Sequence, residues 1–317
     1  MPVPEITDSF TGSVNKVTLG ATKDKGGTRT RTVTVGGAKN VVYGGSFEDA
    51  GEKPVIAMDV LDSRPDDWPD VLADAYKDVW DSPGDWAKKC VEEFGADLIC
   101  IKFDGIHPDS ENLDAAHAVK VTKDVLKAVG VPLVLWCCGN DEKDNQVMPK
   151  VSGAAKGENC LIGTVTEKNY KSLTAIALAD GHHLITEAPI DINIAKQVNI
   201  LASDMGFPLE RIVTYQSTGA LGYGIEYAYS IQERQRLAAL TGDKMMAMPA
   251  ICDVGSESWR VKEARLANAP GWGDAAGRGP MWEAATAVCL LHAGVDIIRM
   301  RHPRAVSVVK NFINQVM

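Results

Sequence analysis

The chain has 317 residues, 45% of them hydrophobic and 24% charged, which is enough to bury one large core. Its 33 basic against 42 acidic side chains leave a formal charge of −9 with no basic run, which argues against nucleic acid as a partner. No apolar run approaches the roughly 20 residues that span a bilayer, so no membrane partner is expected. The first residues lack the basic start and apolar core of a signal peptide, so a cytoplasmic location is expected. Seven scattered cysteines with no Cys-x-x-Cys give neither a disulfide framework nor an iron–sulfur or zinc cradle.

In chain order, residues 11–45 come first and stand apart. Val17-Thr-Leu19 and Arg31-Thr-Val-Thr-Val35 alternate polar and apolar around Gly26-Gly27, the pattern of a hairpin. The basic stretch Lys23, Lys25, Arg29 and Arg31 reads as its solvated tip, and the hairpin could plug one end of the domain behind it. Eight apolar runs then alternate with helical patterns: Pro54–Val60, Asp97–Phe103, Pro132–Cys138, Cys160–Val165, His183–Glu187, Arg211–Tyr215, Met245–Cys252 and Val295–Met300. Continuous apolar runs of this length suit strands covered on both faces.

Helix ends are legible between them. Ser82-Pro83 with Asp85 starts a helix that stops at Gly95, and Val121, Val125 and Val129 form a stripe that stops at Gly130. Asp191 caps a third helix, a fourth runs from about Ile225 to Leu240, and the last starts at Pro303. Eight strands alternating with helices, without a Gly-rich phosphate loop after the first, predict a (β/α)8 TIM barrel over residues 51–317, preceded by a hairpin extension over residues 1–50.

In that fold, ligands sit where the loops after the strands converge. The widest strand spacings make 60–82 and 253–280 elaborated loops, carrying Trp68, Trp80, Trp259 and Trp272. Tryptophans there cover their own loops or serve a flat ligand or a partner. Polar residues ring the strand ends: Asp59 and Asp62, Asp104 and His107, Asn140, Thr164 and Thr166, Glu187, Gln216-Ser217-Thr218, Asp253, then Arg299, Arg301 and His302. Such a ring could position a polar ring system, although single acids at these points also cap helices.

The enzyme signatures do not appear. There is no His-x-His or His-Glu-x-x-His pair and no Gly-x-Ser-x-Gly turn, and no lysine stands clearly at a strand end, since Lys102 falls inside its run. His182-His183 opens the fifth strand, at the wrong end for chemistry. One segment is unusual: Ser217-Thr-Gly219-Ala-Leu221-Gly222-Tyr223-Gly224 places three glycines between the sixth strand and its helix. Glycine lets backbone approach a ligand closely, and the helix start behind it offers N–H groups.

Several stretches resemble the small subunit of the corrinoid iron–sulfur protein, whose archaeal counterpart is the delta subunit of acetyl-CoA decarbonylase/synthase. They are Leu19-Gly-Ala-Thr-Lys-Asp-Lys-Gly-Gly-Thr-Arg-Thr30, Asp191-Ile-Asn-Ile-Ala-Lys-Gln197, Leu221-Gly-Tyr-Gly-Ile-Glu-Tyr227, Met248-Pro-Ala-Ile-Cys252 and Pro270-Gly-Trp-Gly273. The resemblance implies a barrel that pairs with a large subunit carrying the [4Fe–4S] cluster, with a corrinoid (cobalamin) at their interface. It implies methyl transfer from methyltetrahydrofolate, through a methyltetrahydrofolate:corrinoid methyltransferase, to acetyl-CoA synthase/CO dehydrogenase in the reductive acetyl-CoA pathway. Candidate cofactor-binding residues are then Asp104, Asn140, Thr164, Glu187, Gln216, Ser217, Thr218, Gly219, Leu221, Gly222, Tyr223, Gly224, Asp253 and His302. The barrel is also similar to pterin-binding methyltransferases, with Asp104 and Asn140 loosely placed for a pterin. A stand-alone pterin-binding methyltransferase is therefore the alternative.

Overall fold

Two short antiparallel strands, β1 (Lys16–Leu19) and β2 (Val33–Gly36), open the computed structural model, which describes residues 10–42, 49–269 and 271–317. Pro270 of the quoted motif lies outside the described residues, as do residues 1–9 and 43–48 of the extension. Eight parallel strands follow: β3 (Val55–Leu61), β4 (Leu98–Lys102), β5 (Leu133–Trp136), β6 (Leu161–Val165), β7 (His183–Ala188), β8 (Ile212–Gln216), β9 (Ala250–Asp253) and β10 (Ile297–Met300). They pair in chain order, and β10 pairs with both β3 and β9, so the barrel closes. The (β/α)8 barrel and the hairpin ahead of it are as the apolar runs predict.

The helices are α1 (Asp70–Ala73), α2 (Pro83–Glu92), α3 (Ala115–Ala128), α4 (Asp141–Ala154), α5 (Tyr170–Asp180), α6 (Ile192–Asp204), α7 (Ile225–Leu240), α8 (Val254–Arg260), α9 (Lys262–Arg265), α10 (Ala275–His292) and α11 (Pro303–Val316). The caps read from sequence operate: the Ser82 side chain accepts from Asp85 N–H, and Asp191 accepts from Asn193 and Ile194. The segment 253–280 departs from the reading as a loop, because α8, α9 and the start of α10 lie in it. Helix α10 includes Gly277, Gly279 and Pro280, residues that argue against a helix locally. Packing overrides them at Gly279, where a Cβ would stand 2.5 Å from the Trp259 ring, so only glycine lets α10 sit against that side chain.

The hairpin closes the N-terminal end of the barrel. Val17, Leu19 and Val35 are fully buried in one cluster with Leu98, Leu161 and Ile297, which open their strands. Burying a side chain of this size stabilises the fold by about 1.5–3 kcal/mol. Asn159, just before β6, donates to the Thr18 and Gly20 carbonyls and ties the hairpin to the rim. The solvated-tip reading holds for Lys23 and Lys25 and fails for Arg29. Arg29 is buried, pairs with Glu158 at 2.9 Å and donates to the Leu126 and Val129 carbonyls, so it fastens the extension to the body.

Candidate functional site

Strand parity decides what the C-terminal mouth contains, because alternate side chains face the barrel interior. Near the ends of β5, β8 and β10 the inward residues are Trp136, Tyr215 and Arg299, and Asp59 of β3 and Asp253 of β9 meet them. Arg299 donates through Nε and a terminal nitrogen to both oxygens of Asp59 at 3.0 Å, and its third nitrogen lies 3.1 Å from Asp253 Oδ2. Its guanidinium covers the Trp136 ring at 3.9 Å, and Trp136 meets Tyr215 edge-on at 4.9 Å. Arg301, beyond β10, adds an Nε bond to Asp59 Oδ2 at 3.0 Å. Burial opposes ionisation of Asp59, but the two arginines outweigh it and hold the carboxyl below the usual range. Two acids and two arginines balance in charge, and removing any one strands a buried ion.

The opposite side of the mouth is polar and less tightly paired. Lys102 ends β4 rather than lying inside a longer strand, which corrects the reading that no lysine stands at a strand end. Its Nζ donates to the Cys137 carbonyl at 2.6 Å and lies 3.4 Å from Asp104. Glu187 of β7 has its carboxyl raised by burial, against the opposing effects of the Thr164 hydroxyl and Lys102.

After β8 the chain makes the glycine-rich loop. A Cβ on Gly219 would meet the Gly224 carbonyl at 2.4 Å, and Gly222 and Gly224 take φ of +73° and +89°. These three positions therefore require glycine for the turn itself. Leu221 N–H donates to Thr286 Oγ1 at 3.2 Å, and the Leu221 carbonyl accepts from Trp282 Nε1 at 2.9 Å, which holds the loop against α10. Tyr223 is 71% exposed at its crest. Beside it a shallow groove of about 400 Å³ runs along Leu221, Trp272, Met281 and Trp282, with the two tryptophans stacked at 5.4 Å.

The remaining sequence-predicted residues divide by direction. Gln216 follows inward-facing Tyr215 and so points outward, toward Gln235 of α7. Thr218 is buried, with its hydroxyl accepting from Asp253 N–H at 2.9 Å, and Ser217 is bonded to the Ala188 carbonyl through its N–H. Asn140 caps α4 and His302 caps α11, where His302 also stacks on Trp259 at 5.8 Å. Burial pushes the His302 imidazole down to about 4. Asp253 caps α8 and also serves the ion network, whereas Asp104 stays half-exposed at the mouth. His182 and His183 are buried at the N-terminal end, where desolvation lowers both.

In the sequence Arg299 and Arg301 stand only as two of several polar strand ends, and Glu283 falls outside that ring. Opposite charges inside two apolar runs, Asp59 and Arg299, were the available signal for the first pair. Nothing local marks Glu283. It lies fully buried in α10 and accepts from Trp259 Nε1 at 2.7 Å, Arg301 N–H at 2.6 Å and His302 N–H at 3.1 Å. Burial pushes it up to about 7 against the pull of those donors. Trp259 and Trp68 thus cover their own loops, Trp68 packing edge-on to Tyr76 and Trp86, while Trp272 remains 54% exposed. A second cavity of about 490 Å³ opens between the 63–69 and 104–111 loops and α8, with Arg301, Trp68 and Trp259 in its lining.

The architecture is that of the dihydropteroate synthase barrels. The solved structure of the Coxiella burnetii enzyme with pteroic acid matches at a TM-score of 0.57, covering 95% of this chain and 99% of that one at 12% identity. The Xanthomonas albilineans enzyme with 4-aminobenzoic acid matches at 0.56, covering 84% and 95% at 15% identity. At such identities the likeness is one of fold. The model of the CO dehydrogenase/acetyl-CoA synthase delta subunit family matches residues 16–292, and the chain belongs to that family. The acetyl-CoA decarbonylase/synthase complex subunit delta of Archaeoglobus fulgidus is 37% identical over 97% of this chain and 69% of its own length. That of Methanothermobacter thermautotrophicus is 36% identical over 95% and 75%.

Proposed function

We propose that the chain is the small subunit of a two-subunit corrinoid iron–sulfur methyl carrier. In this reading it serves methyl transfer from methyltetrahydrofolate, through a methyltransferase, to acetyl-CoA synthase/CO dehydrogenase in the reductive acetyl-CoA pathway. The observation that carries the reading, beside family membership, is the loop 217–224. It sets exposed Tyr223 beside the Trp272–Trp282 groove on the C-terminal face, the end that also holds an internally balanced charge network. A flat macrocycle edged by amides fits such a surface: apolar rings to lie against, with close backbone and strand-end polar groups to meet its edge. Leu221, Tyr223 and the loop backbone would hold the corrinoid from this side, and Asp104, Thr164 and Glu187 would face it across the mouth. When bound, the corrinoid supplies the cobalt that carries the methyl group.

The residues here do not suit the [4Fe–4S] cluster. Among the described residues no three His, Cys, Asp or Glu gather in a metal-holding group. Burial also raises the Cys160 and Cys252 thiols to about 12, against the thiolate such a cluster needs. The reading therefore assigns the cluster to the large subunit. No helix among the described residues is long and apolar enough to cross a membrane.

Co-expression with and without the large subunit, followed by absorbance of retained cobalamin, tests the proposal. Retention by the heterodimer and its loss from the isolated chain is the expected result; full retention by the isolated chain overturns it. The polar pairs Lys102–Asp104 and Thr164–Glu187 at the mouth favour one alternative, a pterin-binding methyltransferase acting alone. Titration of the isolated chain with methyltetrahydrofolate decides it, and no binding at millimolar ligand removes it.

A further inference from the structure

The cavity between the 63–69 loop, the 104–111 loop and α8 has an unusual floor. Arg301 is 8% exposed, is fixed at Nε by Asp59, and lines this cavity of about 490 Å³. Its two terminal nitrogens have no hydrogen-bond partner among the described residues. A guanidinium edge that lines an open cavity without a protein acceptor leaves donor capacity that a ligand could satisfy. Trp68 lies under that guanidinium at 5.2 Å, and Trp259 forms another wall.

The charge around the cavity narrows the ligand. Asp59, Asp253, Arg299 and Arg301 already balance beneath it. Five carboxylates line the cavity against two further arginines, Arg64 and Arg260. A carboxylate or phosphate ligand would meet that excess of negative charge, and a cation would meet Arg301. A neutral group with a carbonyl oxygen for the guanidinium and N–H for an acid such as Asp104 suits both demands. That group is a primary carboxamide, its aliphatic stem lying along the tryptophans.

We propose that this cavity takes a peripheral carboxamide of the corrinoid, with Arg301 as the carbonyl donor and Asp104 among the acids that accept its N–H. The inference rests on the corrinoid reading above and adds a second point of attachment, remote in sequence from the 217–224 loop.

The test uses the heterodimer with the large subunit, equilibrium dialysis, and two kinds of probe. One is cyanocobalamin; the other is the set of its monoacids, each with one peripheral amide hydrolysed to a carboxylate. At least one monoacid should bind about tenfold more weakly than the parent, and Asp104→Asn should shrink that penalty. Arg301→Lys should weaken binding of cyanocobalamin by about tenfold, with its thermal midpoint reporting whether it folds. If that variant fails to fold, the monoacid series and Asp104→Asn carry the decision. Equal binding of the parent and every monoacid overturns this inference alone. A wild-type heterodimer that does not hold cyanocobalamin overturns the corrinoid reading with it.

Discussion

The two ends of this barrel are closed by opposite means. At the N-terminal end a hairpin inserts Val17, Leu19 and Val35 among apolar strand starts, and its one deeply placed charge, Arg29, is spent on Glu158 and backbone carbonyls. At the C-terminal end Asp59, Asp253, Arg299 and Arg301 pair beside Trp136 and Tyr215, with polar and aromatic groups left at the surface. An apolar plug stabilises simply by leaving water. A charge network must be complete to be tolerated, but it presents donors and acceptors to whatever docks above it. The difference separates an end closed by apolar burial from one closed by paired charges.

The comparison breaks most sharply at Arg299. Arg299→Ala should leave Asp59 and Asp253 buried without their shared partner and cost about 3–5 kcal/mol, read by urea denaturation. A loss below about 1 kcal/mol would show that water enters the mouth and that the network is not structural. Leu19→Ala tests the other end. It should cost about 2–4 kcal/mol by cavity formation, and it should leave any ligand affinity of the C-terminal face unchanged in the molecules that fold. A ligand-specific effect there would mean that the two ends are not independent.

Glu283 sharpens the comparison through pH. Burial raises its folded value to about 7 from an ordinary value near 4.5. Its stabilising contribution is therefore complete below about 4.5 and is lost as pH rises toward 7, at up to about 1.4 kcal/mol per pH unit. Glu283→Gln, which cannot ionise, should flatten the stability profile in that window; an unchanged slope would assign the titration elsewhere. The smallest expected effect on stability is at the crest of the glycine loop. Tyr223→Ala removes a side chain that is 71% exposed, so stability should stay within about 0.5 kcal/mol. Corrinoid retention by the heterodimer should fall about fivefold. Gly222→Val is the poorer probe, because its φ of +73° strains any β-branched residue and confounds retention with folding.

Much of the frame could be read before the structure. The apolar runs, the helix caps at Ser82 and Asp191, and the alternating hairpin all use contacts within a few residues, which a linear pattern displays. The candidate site was legible only in part. The loop 217–224 announced itself by its glycines, but Gln216 was misdirected because one step along a strand reverses the face. Asn140 and His302 proved to be helix caps, and the end of β4 at Lys102 could not be located inside a longer apolar run.

By itself, the sequence determined the eight strands, most of their helices and the family, since periodicity, capping and motif are local properties. Tertiary structure alone decided which charges are partners. Asp59 and Arg299 stand 240 residues apart and meet only because β10 closes the barrel against β3. That closure places two arginines and two acids in one buried volume, where low polarity makes their pairing obligatory.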